Sequence, residues 1–161
     1  MKRLIRLSAS CNTWVERSLA ILGMVMVVVV VLQVIFRYVL NNSLFWSEEL
    51  VRYLLIWLTF LGASCAYRRR VHPSIDVLTS RLQGVWQHAL SIGVHLVSLA
   101  LFSVMIYQGL VFAYFVRAQI SPALALPKWL IYSVVPLSGV LFFVHCLAFL
   151  IAELSGEHND G

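Results

Sequence analysis

The sequence predicts an all-α integral membrane protein with four transmembrane helices and an amphipathic, interfacial start to the third. Hydrophobic residues fill 61% of the 161 positions and charged residues 12%, against roughly 45–50% and 25% in an ordinary soluble domain. So much apolar surface does not fit inside one small core. Four uncharged stretches also reach the ~20 residues that a helix needs to cross a hydrocarbon layer. They are unbroken, whereas the strands of an outer-membrane barrel alternate in short segments. The formal net charge of +5 comes from Lys and Arg at the edges of apolar blocks, not from one solvated face, so no nucleic-acid partner is indicated.

Span one is expected over about residues 18–40. Ser18 to Phe36 carries no charge over about 19 residues, or ~28 Å of helix, which matches one crossing. Lys2, Arg3, Arg6 and Arg17 precede it as a basic region precedes a signal peptide. The apolar run is too long for that role and no small-residue cleavage site follows, so the segment is expected to stay uncleaved. Val27 to Val31 is β-branched throughout, yet in lipid only a helix satisfies its backbone internally.

Span two is expected over about residues 49–67, with Ser47 as N-cap and Glu48 and Glu49 in the first turn, where the helix dipole favours anions. The connection from Asn41 to Trp46 is so short that spans one and two must be antiparallel neighbours. Arg68, Arg69 and Arg70 then close span two on the side of the N-terminus.

Span three is expected over about residues 84–117. Ile75, Leu78, Leu82, Val85, Trp86 and Ala89 recur every three or four residues, with Asp76, Thr79, Arg81, Gln83 and Gln87 between them, which is an amphipathic helix start. Leu82 to Val116 is then uncharged over about 35 residues, ~52 Å as helix and longer than one bilayer core. Either the helix begins along the interface and bends near Gly84 or Gly93, or it crosses at a steep tilt.

The next connection, Ala118 to Leu126, has the turn residues Ser121 and Pro122 but carries Ile120, Leu124 and Leu126 in place of charges. A loop this apolar needs cover, from the membrane interface or from another chain. Span four, about residues 128–152, begins beside Pro127 and contains Pro136, where a kink is expected. The whole of residues 1–161 reads as a single four-helix membrane domain without internal repeats. Eight of the 12 Lys and Arg lie with the N-terminus and the Arg68 to Arg81 segment, against Arg37, Arg52, Arg117 and Lys128 opposite. Both termini are therefore expected to be cytoplasmic.

The densest chemistry is at the edge of the first hairpin, where Trp46, Ser47, Glu48, Glu49 and Arg52 face Arg37. Glu48 and Arg52 have the i,i+4 order that favours an intrahelical ion pair, which Arg37 can join. This set serves either as an interfacial anchor, with Trp46 in the aromatic belt, or as an anchor that also docks a partner. No enzyme is indicated, because acid–base work by paired carboxylates needs a cleft and an opposing group. Cys11, Cys65 and Cys146 are far apart, with no CxxC pair, so neither a disulfide framework nor a metal centre is expected, and no cofactor. Between Tyr53 and Tyr67, Leu82 and Val116, and Trp129 and Ala152 there is no Asp, Glu, Lys or Arg. That disfavours an autonomous ion-coupled carrier, since such carriers often use ionisable groups at midmembrane. The alternative reading is a haem-binding membrane anchor subunit of a respiratory enzyme: His88 and His95 share a helix face and His145 lies inside span four, as bis-imidazole ligation between two helices would require.

From Arg37 to Leu78 the chain reads RYVLNNSLFWSEELVRYLLIWLTFLGASCAYRRRVHPSIDVL. This segment closely resembles the small membrane subunit, the DctQ family, of tripartite ATP-independent periplasmic (TRAP) transporters. The likeness rests on Arg37 ending span one, Asn41, the Trp46-Ser-Glu48-Glu49-Leu entrance to span two, Arg52 one turn later, Trp57, Gly62, the pair Arg68 and Arg69, then His72 and Asp76. The chain departs from the family's habit at Arg70 and Pro73, though Pro73 can serve as the first residue of the next helix. What the resemblance implies is a bacterial inner-membrane system, driven by a sodium or proton gradient, that imports organic acids. In it a periplasmic binding protein captures substrate, a large permease subunit of about twelve spans carries it, and a small subunit packs beside the large one. On that reading Arg37, Asn41, Trp46, Glu48, Glu49 and Arg52 are interfacial or partner-docking residues. Arg68, Arg69, Arg70, His72 and Asp76 set topology and form the cytoplasmic turn.

Overall fold

In a computed structural model, the backbone is described for residues 2–69 and 85–154 and the side chains for residues 12–69 and 90–152. The chain forms α1 (Lys2–Tyr38), α2 (Phe45–Arg68), α3 (Val85–Phe115), the short α4 (Lys128–Tyr132) and α5 (Val134–Leu154). Four helical stretches are long and apolar enough to cross a membrane: Asn12–Tyr38, Phe45–Arg68, Leu90–Phe115 and Lys128–Ala152. The protein is therefore an all-α, multi-pass membrane protein. The expected amphipathic start of span three, with Arg70, His72, Pro73, Asp76 and Gly84, lies outside the described residues.

The first helix extends beyond the expected span, through the basic segment to Lys2. No Pro or Gly interrupts residues 2–18, and Asn12 Nδ2 donates to Glu16 Oε1 at 2.8 Å across one turn, so nothing stops the helix earlier. It ends where Asn41 takes a left-handed conformation, φ +50°, which Asn tolerates better than most side chains. The Asn42 N–H then turns back to the Phe36 carbonyl at 3.0 Å.

The expected Ser47 N-cap is a correction. Helix α2 starts at Phe45 with Leu44 in the cap position and no side-chain cap bond. The Ser47 hydroxyl donates backward to the Leu44 carbonyl at 2.7 Å, so it serves the turn it belongs to and does not reach forward to a free N–H.

Helix α3 runs without a break through Gly93. A Cβ at Gly93 would meet nothing within 4 Å, so no neighbour presses on the helix there, and its backbone stays internally bonded as lipid requires. In the last span the helix is interrupted at Ser133, between α4 and α5. Pro136 accounts for the break. It offers no N–H to the Tyr132 carbonyl and its ring crowds that position, so the discontinuity falls about one turn before the proline. The Leu137 N–H bonds to Ser133 at 3.2 Å and restarts the ladder.

Helix α5 is the centre of the described bundle and packs against every other described helix. Of the most apolar stretch of the last span 44% is buried, against 6% for α1. Close approach of α3 and α5 depends on two glycines. A Cβ on Gly109 would lie 2.9 Å from Pro136 Cδ, and one on Gly139 would lie 2.9 Å from Ile106 Cγ1. Small residues at such contacts let membrane helices gain dispersion energy that lipid cannot match. Nearer the Arg69 end, Tyr67, Phe102, Phe142 and Phe149 join α2, α3 and α5. The Phe102 and Phe142 rings stack at 4.8 Å, and Tyr67 meets both edge-on at 5.5 and 5.6 Å.

Candidate functional site

The hairpin of α1 and α2 is stitched by polar contacts at both ends. Near Asn41, Gln33 Nε2 donates to Glu48 Oε1 at 3.3 Å and Arg37 reaches the same oxygen at 4.0 Å. At the other end Glu16 Oε1 accepts from Arg69 Nη2 at 2.8 Å and Nε at 3.1 Å. Among the described residues these are the two carboxylate ion pairs. The expected Glu48–Arg52 pair is therefore a correction: Glu48 leans across the hairpin to α1, and Arg52 is exposed. Arg37 does join Glu48, as its position at the end of span one suggests.

Glu49 behaves differently from its neighbour. Its side chain is turned inward, and the residue is buried. Oε2 accepts from the backbone N–H of Ala123 at 2.7 Å and of Leu124 at 3.3 Å, while Oε1 accepts from the Tyr53 hydroxyl. The Ser121 hydroxyl lies against the same carboxylate. One ionised side chain at the start of α2 thus holds the tip of the loop between α3 and α4.

That loop has a defined shape. Ile120 and Pro127 form an isolated antiparallel bridge. Inside it the Ser121 N–H bonds to the Leu126 carbonyl at 2.9 Å, and the Leu126 N–H bonds to Ser121 Oγ at 3.1 Å. Closing so tight a turn puts Ala125 in the left-handed region, φ +54°, at a cost of ~1–2 kcal/mol for a residue with a Cβ. Glu49 supplies charge-assisted hydrogen bonds that offset such strain. Ile120 and Leu126 stay exposed.

The sequence-derived set therefore divides. Arg37, Asn41, Trp46, Glu48 and Arg52 are exposed at one end of the bundle, with Phe45, Ile120 and Trp129 exposed as well. Glu49 is spent inside the chain. Arg68 and Arg69 sit at the other end, and Arg69 has Glu16 as partner. Gln33, Tyr53 and Glu16 take part in these contacts although the sequence assigned none of them a role, and Ser121, read from it only as a turn residue, does so as well. Glu16 had one usable signal, being the sole carboxylate before span one and close to the basic cluster.

Among the described side chains His95 and His145 do not present an open pair, and the side chain of His88 lies outside the described residues. His145 is 1% exposed, enclosed in the bundle, and His95 Nδ1 bonds to the Ser91 carbonyl of its own helix at 2.7 Å. Cys146 Sγ donates to the His95 carbonyl at 3.4 Å and Phe149 packs edge-on to the His95 ring. Among the described residues no three of His, Cys, Asp and Glu converge on a point that could hold a metal ion.

Residues 26–156 match the family described as tripartite ATP-independent periplasmic transporters, DctQ component. The putative TRAP transporter small permease protein of Haemophilus influenzae is 30% identical over 129 residues, 80% of each chain. The ectoine TRAP transporter small permease protein TeaB of Halomonas elongata is 33% identical over 129 residues, 79% of this chain and 67% of that one. The isethionate TRAP transporter permease protein DctMQ of Oleidesulfovibrio alaskensis is 28% identical over 151 residues. That stretch is 88% of this chain but 23% of that much longer protein. None of these likenesses supports the haem-anchor alternative.

Proposed function

The chain belongs to the DctQ family of small TRAP permease subunits, and from that premise we propose that it works as a scaffold beside a large permease subunit without forming the substrate path. The observation that carries this reading is the long isethionate relative, in which a segment similar to this chain is about a quarter of one permease polypeptide. A four-helix unit that occurs joined to a larger permease is a natural neighbour for it when the two are separate chains. The sequence supports the same division of labour, because between Tyr53 and Tyr67, Leu82 and Val116, and Trp129 and Ala152 there is no Asp, Glu, Lys or Arg, the groups that ion-coupled carriers often place at midmembrane.

In this reading the protein lies in the bacterial inner membrane with both termini cytoplasmic. The large subunit, of about twelve spans, carries an organic acid and the coupling sodium ions or protons. A periplasmic binding protein delivers the substrate to the outer face, where Arg37, Asn41, Trp46, Glu48 and Arg52 are exposed. The four helices widen and brace the static part of the large subunit, so that its moving part travels against a fixed frame. This chain has no catalytic task. Relatives named for isethionate and for ectoine are both similar to this chain in sequence, which fits a subunit that does not select the substrate.

Reconstitution tests the proposal. The chain alone in liposomes is expected to accumulate no organic acid down an imposed cation gradient, and uptake is expected when the large subunit and the binding protein are added. Uptake by the isolated chain would overturn it, and so would failure to copurify with the large subunit.

A further inference from the structure

We propose that the exposed stripe of α3 formed by Val97, Leu101, Val104, Gln108, Val111 and Phe115 is the seat for a transmembrane helix of the large permease subunit, with the Gln108 amide hydrogen-bonding across the contact. This rests on the scaffold reading above and adds the face through which the scaffold acts. The six residues recur every three or four positions, so they form one line along the helix. All six are exposed, while Phe102 and Gly109 on the other side of α3 are buried against α5.

Gln108 is the telling member of the stripe. It stands about nine residues, or ~13 Å of helix, from Arg117. With Arg117 at the interface, that depth is near the middle of a hydrocarbon layer of ~30 Å. A carboxamide carries two donors and an acceptor oxygen, and hydrocarbon offers them nothing. Among the described residues no hydrogen bond reaches this amide. Its stem is too short to lift the polar group to the headgroups, as Lys and Arg do. An amide so placed is expected to face another helix, because interhelical hydrogen bonds are where uncharged polar groups in membranes find partners.

The outer face of α1 gives the contrast. Ile21, Met24, Val27, Val28, Val31 and Val34 are exposed and purely aliphatic, and the one amide nearby, Gln33, already donates to Glu48 at 3.3 Å. That surface suits acyl chains. On the α3 stripe the amide at mid-span is what differs, and beside it an open, mostly apolar groove of about 730 Å³, lined in part by Val111, Tyr114, Arg117 and Trp129, continues the surface toward the membrane edge. The Arg117 guanidinium lies 3.7 Å from the centre of the Tyr114 ring, which fixes the rim of the groove.

The test uses the full chain coexpressed with the large subunit, with the photocrosslinker p-benzoylphenylalanine in place of Gln108 or, separately, of Val28. Irradiation of membranes is expected to give an adduct with the large subunit from position 108 and none from position 28. The reverse pattern in a complex that still copurifies would overturn the assignment of the face while leaving the scaffold reading in place. An adduct of two copies of this chain, or of lipid alone, at position 108 would also overturn it. If the subunits do not copurify at all, the scaffold reading itself fails. Gln108→Leu is expected to lower the amount of complex surviving a detergent challenge about threefold or more, the scale of one interhelical hydrogen bond. Unchanged survival would remove the hydrogen bond from the proposal.

Discussion

Glu48 and Glu49 are adjacent in sequence and opposite in circumstance. Glu48 is exposed and meets Arg37 at 4.0 Å, an arrangement that contributes little in a solvated setting. Glu49 is buried and gathers two loop amides and a phenol. Glu49→Gln is therefore expected to lower the thermal unfolding midpoint in detergent by about 3 °C or more. Glu48→Gln is expected to shift it by less than about 2 °C. Equal shifts would contradict the division. The carboxylates themselves were legible as chemistry in the sequence, but their different roles were not. The donors to Glu49 are backbone amides 74 and 75 positions away, and a backbone N–H leaves no mark in the residue pattern. The same distance problem hid Glu16, whose partner Arg69 lies 53 positions on.

Helices were the most legible level, because in lipid a long apolar run has one way to satisfy its backbone. All four spans, the hairpin of the first two and the disturbance near Pro136 were foreseen on that basis. Helix starts were less legible, as Ser47 shows, since a capping side chain can bond backward as easily as forward. Beyond the first hairpin and its Arg37–Glu48 contact, packing between helices was not legible. Nothing in the sequence separates Gly93, which faces open space, from Gly109, which touches Pro136. Gly109→Val is expected to push α3 from α5 and cost ~1–3 kcal/mol, since a Cβ would sit 2.9 Å from Pro136 Cδ with no flexible neighbour to yield. Gly93→Ala is expected to be neutral or stabilising by up to ~1 kcal/mol, the usual gain from replacing a mid-helix glycine. Denaturation of both variants in matched detergent measures the pair, and a more stable Gly109→Val protein would refute the packing role.

At the scale of the molecule, charge asymmetry should decide orientation. A reporter fused after Tyr67 is expected to read cytoplasmic, and replacing Arg68, Arg69 and Arg70 together by Gln is expected to give a mixed population. A periplasmic reading of the native fusion would invert the whole topology. Which helix stands at the centre was not legible, because apolarity does not report position: the most apolar span, in α1, is the least buried, and centrality is a property of the arrangement. The centre turns out to be α5, the last of the described helices and the one that packs against all the others described. This order has a consequence for biogenesis. As the chain leaves the ribosome, α1 and α2 can pair at once through Glu48 and Arg69. By contrast, α3 has no helix surface shaped for its glycine until Pro136 emerges. Most of the tertiary structure must therefore wait for the end of synthesis, and until then α3 resides in the bilayer as an unclaimed segment, open to capture by whatever other helix is close.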